Sequence, residues 1–240
     1  MLDVRGVTVR AGRRSLLADV GFSAEAGEIV AVFGPNGAGK TTLLEVLVGL
    51  RRASSETVAW NGRVLRTFHE RAQTFAFLPD GGALPSELEV RDVVTHALRF
   101  GARSSALVGE LRQALGVDAL LPMAAGVLSR GERQRVALFC ALAVDRPVVV
   151  LDEPFSTFDP LQLRDVMRAV RRVSESGTAV VATVHQLRDA ERLAHRMMLL
   201  ASGRRVAWGD LSALREQAGR PDADLEQVFT TLLDPDGHAT

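Results

Sequence analysis

Nine consecutive residues, Gly34-Pro35-Asn36-Gly37-Ala38-Gly39-Lys40-Thr41-Thr42, set glycines, one ammonium and two hydroxyls in the spacing G-x-x-x-x-G-K-[ST]. Glycines let the backbone curl until successive N–H groups converge on one anion. The helix that follows would add the positive end of its dipole at the same spot. That is the chemistry of a phosphate-binding loop: Lys40 reaches the β- and γ-phosphates of a nucleotide, and the Thr41 hydroxyl ligates Mg²⁺. A glycine-rich turn opening a helix would explain the glycines but not Lys40, the only lysine in the chain; its other 28 basic residues are arginine. The exception falls where a compact ammonium, rather than a planar fork, is needed.

Two carboxylates follow four apolar residues in Val148-Val149-Val150-Leu151-Asp152-Glu153. This places both acids at the carboxyl end of a buried strand, the edge of an open α/β sheet where ligands bind. Asp152 is suited to hold Mg²⁺, directly or through water, and Glu153 to orient or deprotonate an attacking water. A third segment, Leu128-Ser129-Arg130-Gly131-Glu132-Arg133-Gln134-Arg135-Val136, contains an S-x-x-E capping box at Ser129 and Glu132. It predicts a helix running to about Val144, and an ordinary capped helix accounts for the spacing fully.

These groups need elements to position them. Val4, Val7 and Val9 alternate with polar residues, and Ile29–Phe33 is a continuous apolar run, as expected of a strand buried on both faces. Leu43–Val48 continues the loop in helical style, and Val58–Trp60 with Val64-Leu65 forms a hairpin about Asn61-Gly62. From about Pro85 to Asp145 the pattern is mostly helical. Strand signals return at Val148–Leu151 and Ala179–Val184, with a helix over Leu161–Ser174 between them, and again at Met197–Leu200 and Val206–Trp208. Alternating apolar strands and helices predict an α/β domain with a parallel sheet interrupted by a helical insertion. The polar tail from Asp234 is expected to fray.

Composition bounds the function. With 240 residues, 47% hydrophobic and 24% charged, the chain supports a substantial core and is not disordered. Its 29 basic and 29 acidic residues cancel, which argues against a grip on nucleic-acid phosphates. Cys140 stands alone and cannot form an intrachain disulfide. The first residues lack a signal-peptide layout, and no apolar run reaches the length of a membrane span, so a cytoplasmic protein is expected.

In this order, the phosphate loop, helical insertion, L-S-x-G-E-R-Q-R-V segment and V-V-V-L-D-E-P run resemble the nucleotide-binding subunit of an ABC transporter. The resemblance covers roughly residues 2 to 210. It implies a P-loop NTPase fold of the ABC ATPase type: a mostly parallel core sheet, an N-terminal antiparallel β-subdomain and a helical insertion. It further implies a single domain over 1–240, with an ATP-binding core and β-subdomain at 1–84 and 146–210, the helical signature subdomain at 85–145, and a C-terminal helix and tail at 211–240. The implied function is ATP hydrolysis powering movement through a separate transmembrane permease, with ATP and Mg²⁺ as cofactors. Ser129, Gly131 and Glu132 match the signature that contacts the γ-phosphate of ATP on a second subunit, in a homodimer or heterodimer. Phe155–Pro160, ending in Asp159, matches the loop that communicates across that dimer, and His185 matches the switch histidine at the γ-phosphate. The subunit would sit peripherally on the cytoplasmic face of the membrane, and its compact C-terminal end resembles exporter subunits.

Four positions depart from the family pattern. Ala11 stands where an aromatic stacks on adenine, so that base stacking is either weak or supplied by the guanidinium plane of Arg10, Arg13 or Arg14. Asp80 replaces the glutamine after Leu78-Pro79, and it would either ligate Mg²⁺ or turn away from an already negative site. Arg130 replaces the first signature glycine, and His195 stands before Arg196 in place of an aspartate. Two other classes are kept: a soluble ABC-type ATPase of DNA repair or translation, and an ATP-sensing module with little hydrolysis. The first is disfavoured by the lack of a second ATPase domain or a basic tract. The second is favoured by Ala11, Asp80 and Arg130.

Overall fold

Residues 1–233 are described in this computed structural model, so the expected fraying from Asp234 lies outside them. Strands β1 (Leu2–Ala11) and β2 (Arg14–Ala24) pair antiparallel, with Leu2, Val4, Val7 and Val9 buried along one face of β1. Strand β3 (Ile29–Phe33) leads into helix α1 (Lys40–Val48). Strands β4 (Ser55–Trp60) and β5 (Arg63–Val64) close the first sheet in the order β2-β1-β4-β5, all antiparallel. The turn between β4 and β5 holds Asn61 and Gly62 at φ 48° and 79°, the left-handed pair that a two-residue hairpin of matching twist requires.

The second sheet contains β3, β6 (Phe75–Leu78), β7 (Val148–Leu151), β8 (Ala179–Thr183), β9 (Arg196–Ala201) and β10 (Arg204–Gly209). Its order is β10-β9-β3-β8-β7-β6, parallel throughout except for the antiparallel β9–β10 pair. Both faces are covered. Ile29, Ala31 and Phe33 face one apolar cluster, which includes helices α5 (Arg130–Ala143) and α6 (Pro160–Glu175). Val30 and Val32 face the other, shared with α1 and the antiparallel sheet. Each fully buried aliphatic side chain is worth roughly 1.5–3 kcal/mol, and this double burial explains why β3 and β7 are unbroken apolar runs and β8 is apolar up to Thr183.

Between β6 and β7 lie α3 (Val90–Leu98), α4 (Ser105–Ala114), two short 3₁₀ turns and α5. Helices α2 (Phe68–Thr74) and α7 (Leu187–Leu193), like strand β6, have no counterpart in the sequence reading; each is only four to seven residues long. The region after residue 210 also differs from expectation. It holds two helices, α8 (Leu211–Gln217) and α9 (Leu225–Leu233), because Gly219, at φ 62°, and Pro221 interrupt the helix-forming sequence. At the opposite sheet end from the phosphate loop, His195 Nδ1 accepts the Ile29 N–H at 3.0 Å. A ring nitrogen thus supplies the acceptor where the family pattern has a carboxylate.

Candidate active site

Four connections leave the carboxyl edge of neighbouring parallel strands. Gly34–Thr42 follows β3, Val184-His185 follows β8, Asp152-Glu153 follows β7 and Pro79-Asp80 follows β6. Because β8 lies between β3 and β7, the loop, the strand-end acids and His185 converge, as expected at the carboxyl edge of such a sheet.

The loop adopts its curl through backbone that a Cβ would block. At Gly34, φ is 152° and a Cβ would lie 1.9 Å from the Leu200 carbonyl oxygen. The Ala38 N–H bonds back to the Pro35 carbonyl at 3.1 Å, and Gly39 enters α1 in the left-handed region. Lys40 is the first residue of α1 and is buried, with Nζ donating to the carbonyls of Gly34 at 2.9 Å and Pro35 at 3.3 Å. Burial pulls its pKa below the ordinary lysine value, while Glu153 and Asp152 oppose that shift. The ammonium is therefore held over the mouth of the loop, where an anion can take it from the carbonyls.

Asp152 is 1% exposed. Its backbone N–H donates to the Leu78 carbonyl at 2.8 Å, and its Oδ1 accepts the Thr183 hydroxyl at 2.6 Å. Burial raises the carboxyl pKa; the Thr183 hydrogen bond and the nearby Thr41 hydroxyl oppose the rise, and the charges of Glu153 and Asp80 add to it. Its Oδ2 is buried without a hydrogen-bond partner. An orphaned carboxylate oxygen beside the Thr41 hydroxyl is a hard-oxygen donor set that fits Mg²⁺, a cation that keeps several waters and takes one or two protein carboxylates. Among the described residues no cluster of three His, Cys, Asp or Glu side chains could cage a metal alone.

Asp152→Asn keeps the shape and the Thr183 contact while removing the buried charge. It should raise the melting temperature without nucleotide by about 2–4 °C, the shift of about 1 kcal/mol in a chain of this size. It should also abolish stabilisation by Mg²⁺ with ATP; thermal melts with and without both ligands check the two effects.

Glu153 sits at φ 50°, a left-handed conformation costing roughly 1–2 kcal/mol for a residue with a side chain. Its N–H donates to the Thr183 hydroxyl oxygen at 2.7 Å, and its Oε1 is hydrogen-bonded by His185 Nε2. Thr183 therefore joins the acids: one hydroxyl orients the Asp152 carboxylate and accepts from the Glu153 backbone. Sequence reasoning missed it; its signal is the single hydroxyl ending an otherwise Ala/Val strand, Ala179-Val180-Val181-Ala182-Thr183.

A cavity of about 390 Å³ adjoins these groups, lined by Asn36, Gly37, Gly39, Lys40, Thr41, Thr42 and Glu153, and on its other wall by Arg14 and Leu16 of β2. Pro35 is exposed beside it and Ala38 is packed beneath. Asp80 is exposed, and the turn that carries it rests on α5: a Cβ at Gly82 would lie 2.8 Å from Gln134 Oε1. The structure does not bring the signature residues here. Ser129 caps α5, accepting the Glu132 N–H at 3.3 Å while the Glu132 carboxylate accepts the Ser129 N–H at 2.9 Å, but Ser129, Gly131 and Glu132 line no part of this cavity. Asp159 caps α6, accepting the N–H groups of Leu161 and Gln162 at 2.9 Å.

Residues 17–156 match the family model described as ABC transporter. The chain is 37% identical to the hemin import ATP-binding protein HmuV of Pseudomonas fluorescens, an alignment spanning 95% of this chain and 92% of that protein. It is 34% identical to the thiamine import ATP-binding protein ThiQ of Vibrio vulnificus over 82% of this chain and 87% of that one. A solved structure of the ATP-binding subunit of an ABC transporter superposes with a TM-score of 0.88 at 28% identity, covering 97% of this chain and 99% of that one.

Proposed function

The chain belongs to the ABC transporter family as an ATP-binding ATPase subunit, and from that premise we propose that it works in a pair that closes around ATP and drives a separate transmembrane permease. The observation that carries the pairing is the split site. Lys40, Asp152, Glu153 and His185 converge in one chain, whereas the Ser129 helix start lines no part of that cavity, which fits a role at a second subunit's nucleotide.

In the hydrolysis step, Lys40 transfers its hydrogen bonds from the loop carbonyls to the β- and γ-phosphates. The N–H groups of the loop and of the α1 start hold the remaining phosphate charge. Glu153 accepts a proton from the attacking water, and His185 keeps the Glu153 carboxylate aimed until the γ-phosphate draws it away. Thr41, Asp152 and Asp80 would hold Mg²⁺, which supplies neutralisation of phosphate charge when bound. ATP closes the pair, and loss of the γ-phosphate reopens it.

The permease would dock on the helical insertion. An apolar groove of about 440 Å³ runs from the Pro79–Pro85 loop to α3 and α5, and Leu88 and Phe100, 42% and 60% exposed, border it. No described helix is long and apolar enough to cross a membrane, so attachment to the cytoplasmic face would run through that partner. Both import proteins named above weigh towards import, against the exporter expectation drawn from the compact C-terminal end. Affinity capture from detergent-solubilised membranes should recover a multispanning polypeptide; recovery of nucleic acid or ribosomal proteins instead would sink the transporter reading.

Asp80→Asn probes the proposed metal ligand. Asp80 is exposed, and its charge already bears on Asp152. The variant should need about tenfold more Mg²⁺ for half-maximal turnover, the scale of losing one supporting oxygen. An unchanged requirement rejects the ligand role.

A further inference from the structure

We infer that Arg14 carries the base of the bound nucleotide on its guanidinium plane, and that the site accepts ATP and GTP with little preference between them. This rests on the nucleotide-binding reading above.

Of the three arginines near the empty aromatic position, the structure selects one. Ala11 and Arg14 are direct cross-strand partners across the β1–β2 turn, so their side chains share a face. Arg10 pairs with Ser15 on the opposite face, and Arg13 lies in the turn. Pairing then shifts between Val9–Leu17 and Arg10–Ser15, which leaves Leu16 as the extra residue of a bulge. Bulges beside sites re-aim side chains, and Leu16 lines the cavity together with Arg14, whereas Ala11 does not.

The two walls differ in chemistry. The loop wall offers the Lys40 ammonium and α1 for phosphates. The β2 wall offers one planar cation and one aliphatic side chain, a surface for a flat, π-rich group. Arg5, Arg51, Arg63 and Arg71 are tied to carboxylates, while among the described residues no carboxylate pairs with Arg14, so its plane is available. A guanidinium stack reads no donor–acceptor pattern, because every base has a π-face. Poor discrimination between ATP and GTP follows.

Calorimetric titration of the full chain with ATP, GTP and inorganic tripolyphosphate, each with Mg²⁺, tests this. Arg14→Ala should weaken ATP and GTP about tenfold each while leaving tripolyphosphate within about twofold. Arg14→Lys, which keeps the charge and loses the plane, should remain severalfold weaker for both nucleotides. Ala11→Tyr added to Arg14→Ala should restore ATP affinity, since the ring returns to the same face. Parental ATP affinity in Arg14→Ala overturns the inference. So does a parallel loss of ATP and tripolyphosphate, which would place Arg14 on the phosphates, or full recovery by lysine. Failure of the parent chain to bind either ATP or tripolyphosphate would instead overturn the nucleotide-binding reading beneath it.

Discussion

Glu153→Gln should lower ATP turnover by about 10²–10⁴-fold, the range a positioned general base supplies, with ATP affinity changed by no more than a few-fold. The geometry separates the two effects. Glutamine leaves the backbone bond from residue 153 N–H to Thr183 in place and fills the same space beside His185, but its amide cannot take a proton from water. It also removes one negative charge from a site that holds the buried Asp152, which favours a polyanionic ligand. Chains loaded with ATP should accumulate as closed pairs visible by size-exclusion chromatography. Turnover at the parental rate would remove Glu153 from the chemistry, and a normal loss of turnover without pairing would remove the signature from the partner's site.

Lys40→Ala should weaken ATP binding by about 100-fold, equivalent to about 3 kcal/mol, the upper end for a hydrogen-bonded charge. The ammonium is already desolvated and held by the carbonyls of Gly34 and Pro35, so little further cost attends its transfer to phosphate. Its loss leaves only the loop N–H groups and the metal to balance the ligand's charge, against the negative Asp152 and Glu153. Lys40→Arg should recover little, since a planar fork does not fit where a point charge sits under a tight curl. Equilibrium dialysis with labelled ATP checks both variants. Retention of parental affinity by Lys40→Ala would move the phosphate site elsewhere. Unlike Glu153→Gln, neither variant should form pairs on adding ATP.

The phosphate loop, the strand-end acids and the Ser129 cap were legible because each is a contiguous segment. Their chemistry depends on backbone curl, burial at a strand end and helix-terminal N–H groups, all set within a few residues. The α/β alternation was legible for the same reason, since long apolar strands and periodic helices carry their own pattern. Short elements were not: Phe75–Leu78 and Leu187–Leu193 are too brief for periodicity to distinguish them from loop. Neither was strand order. A strand buried on both faces has no alternation to specify its neighbour, so nothing local in β8 says that it lies between β3 and β7. That placement alone brings Thr183 to Asp152 and His185 to Glu153. Which of Arg10, Arg13 and Arg14 lines the cavity beside the phosphate loop was likewise undetermined, because the three are equivalent until a pairing register and one bulge give each its direction. The amino-acid sequence by itself determined which chemical groups are present and the local backbone that carries them. Tertiary structure decided which groups meet, because contacts between distant strands follow from burial of whole faces, a property no single segment holds.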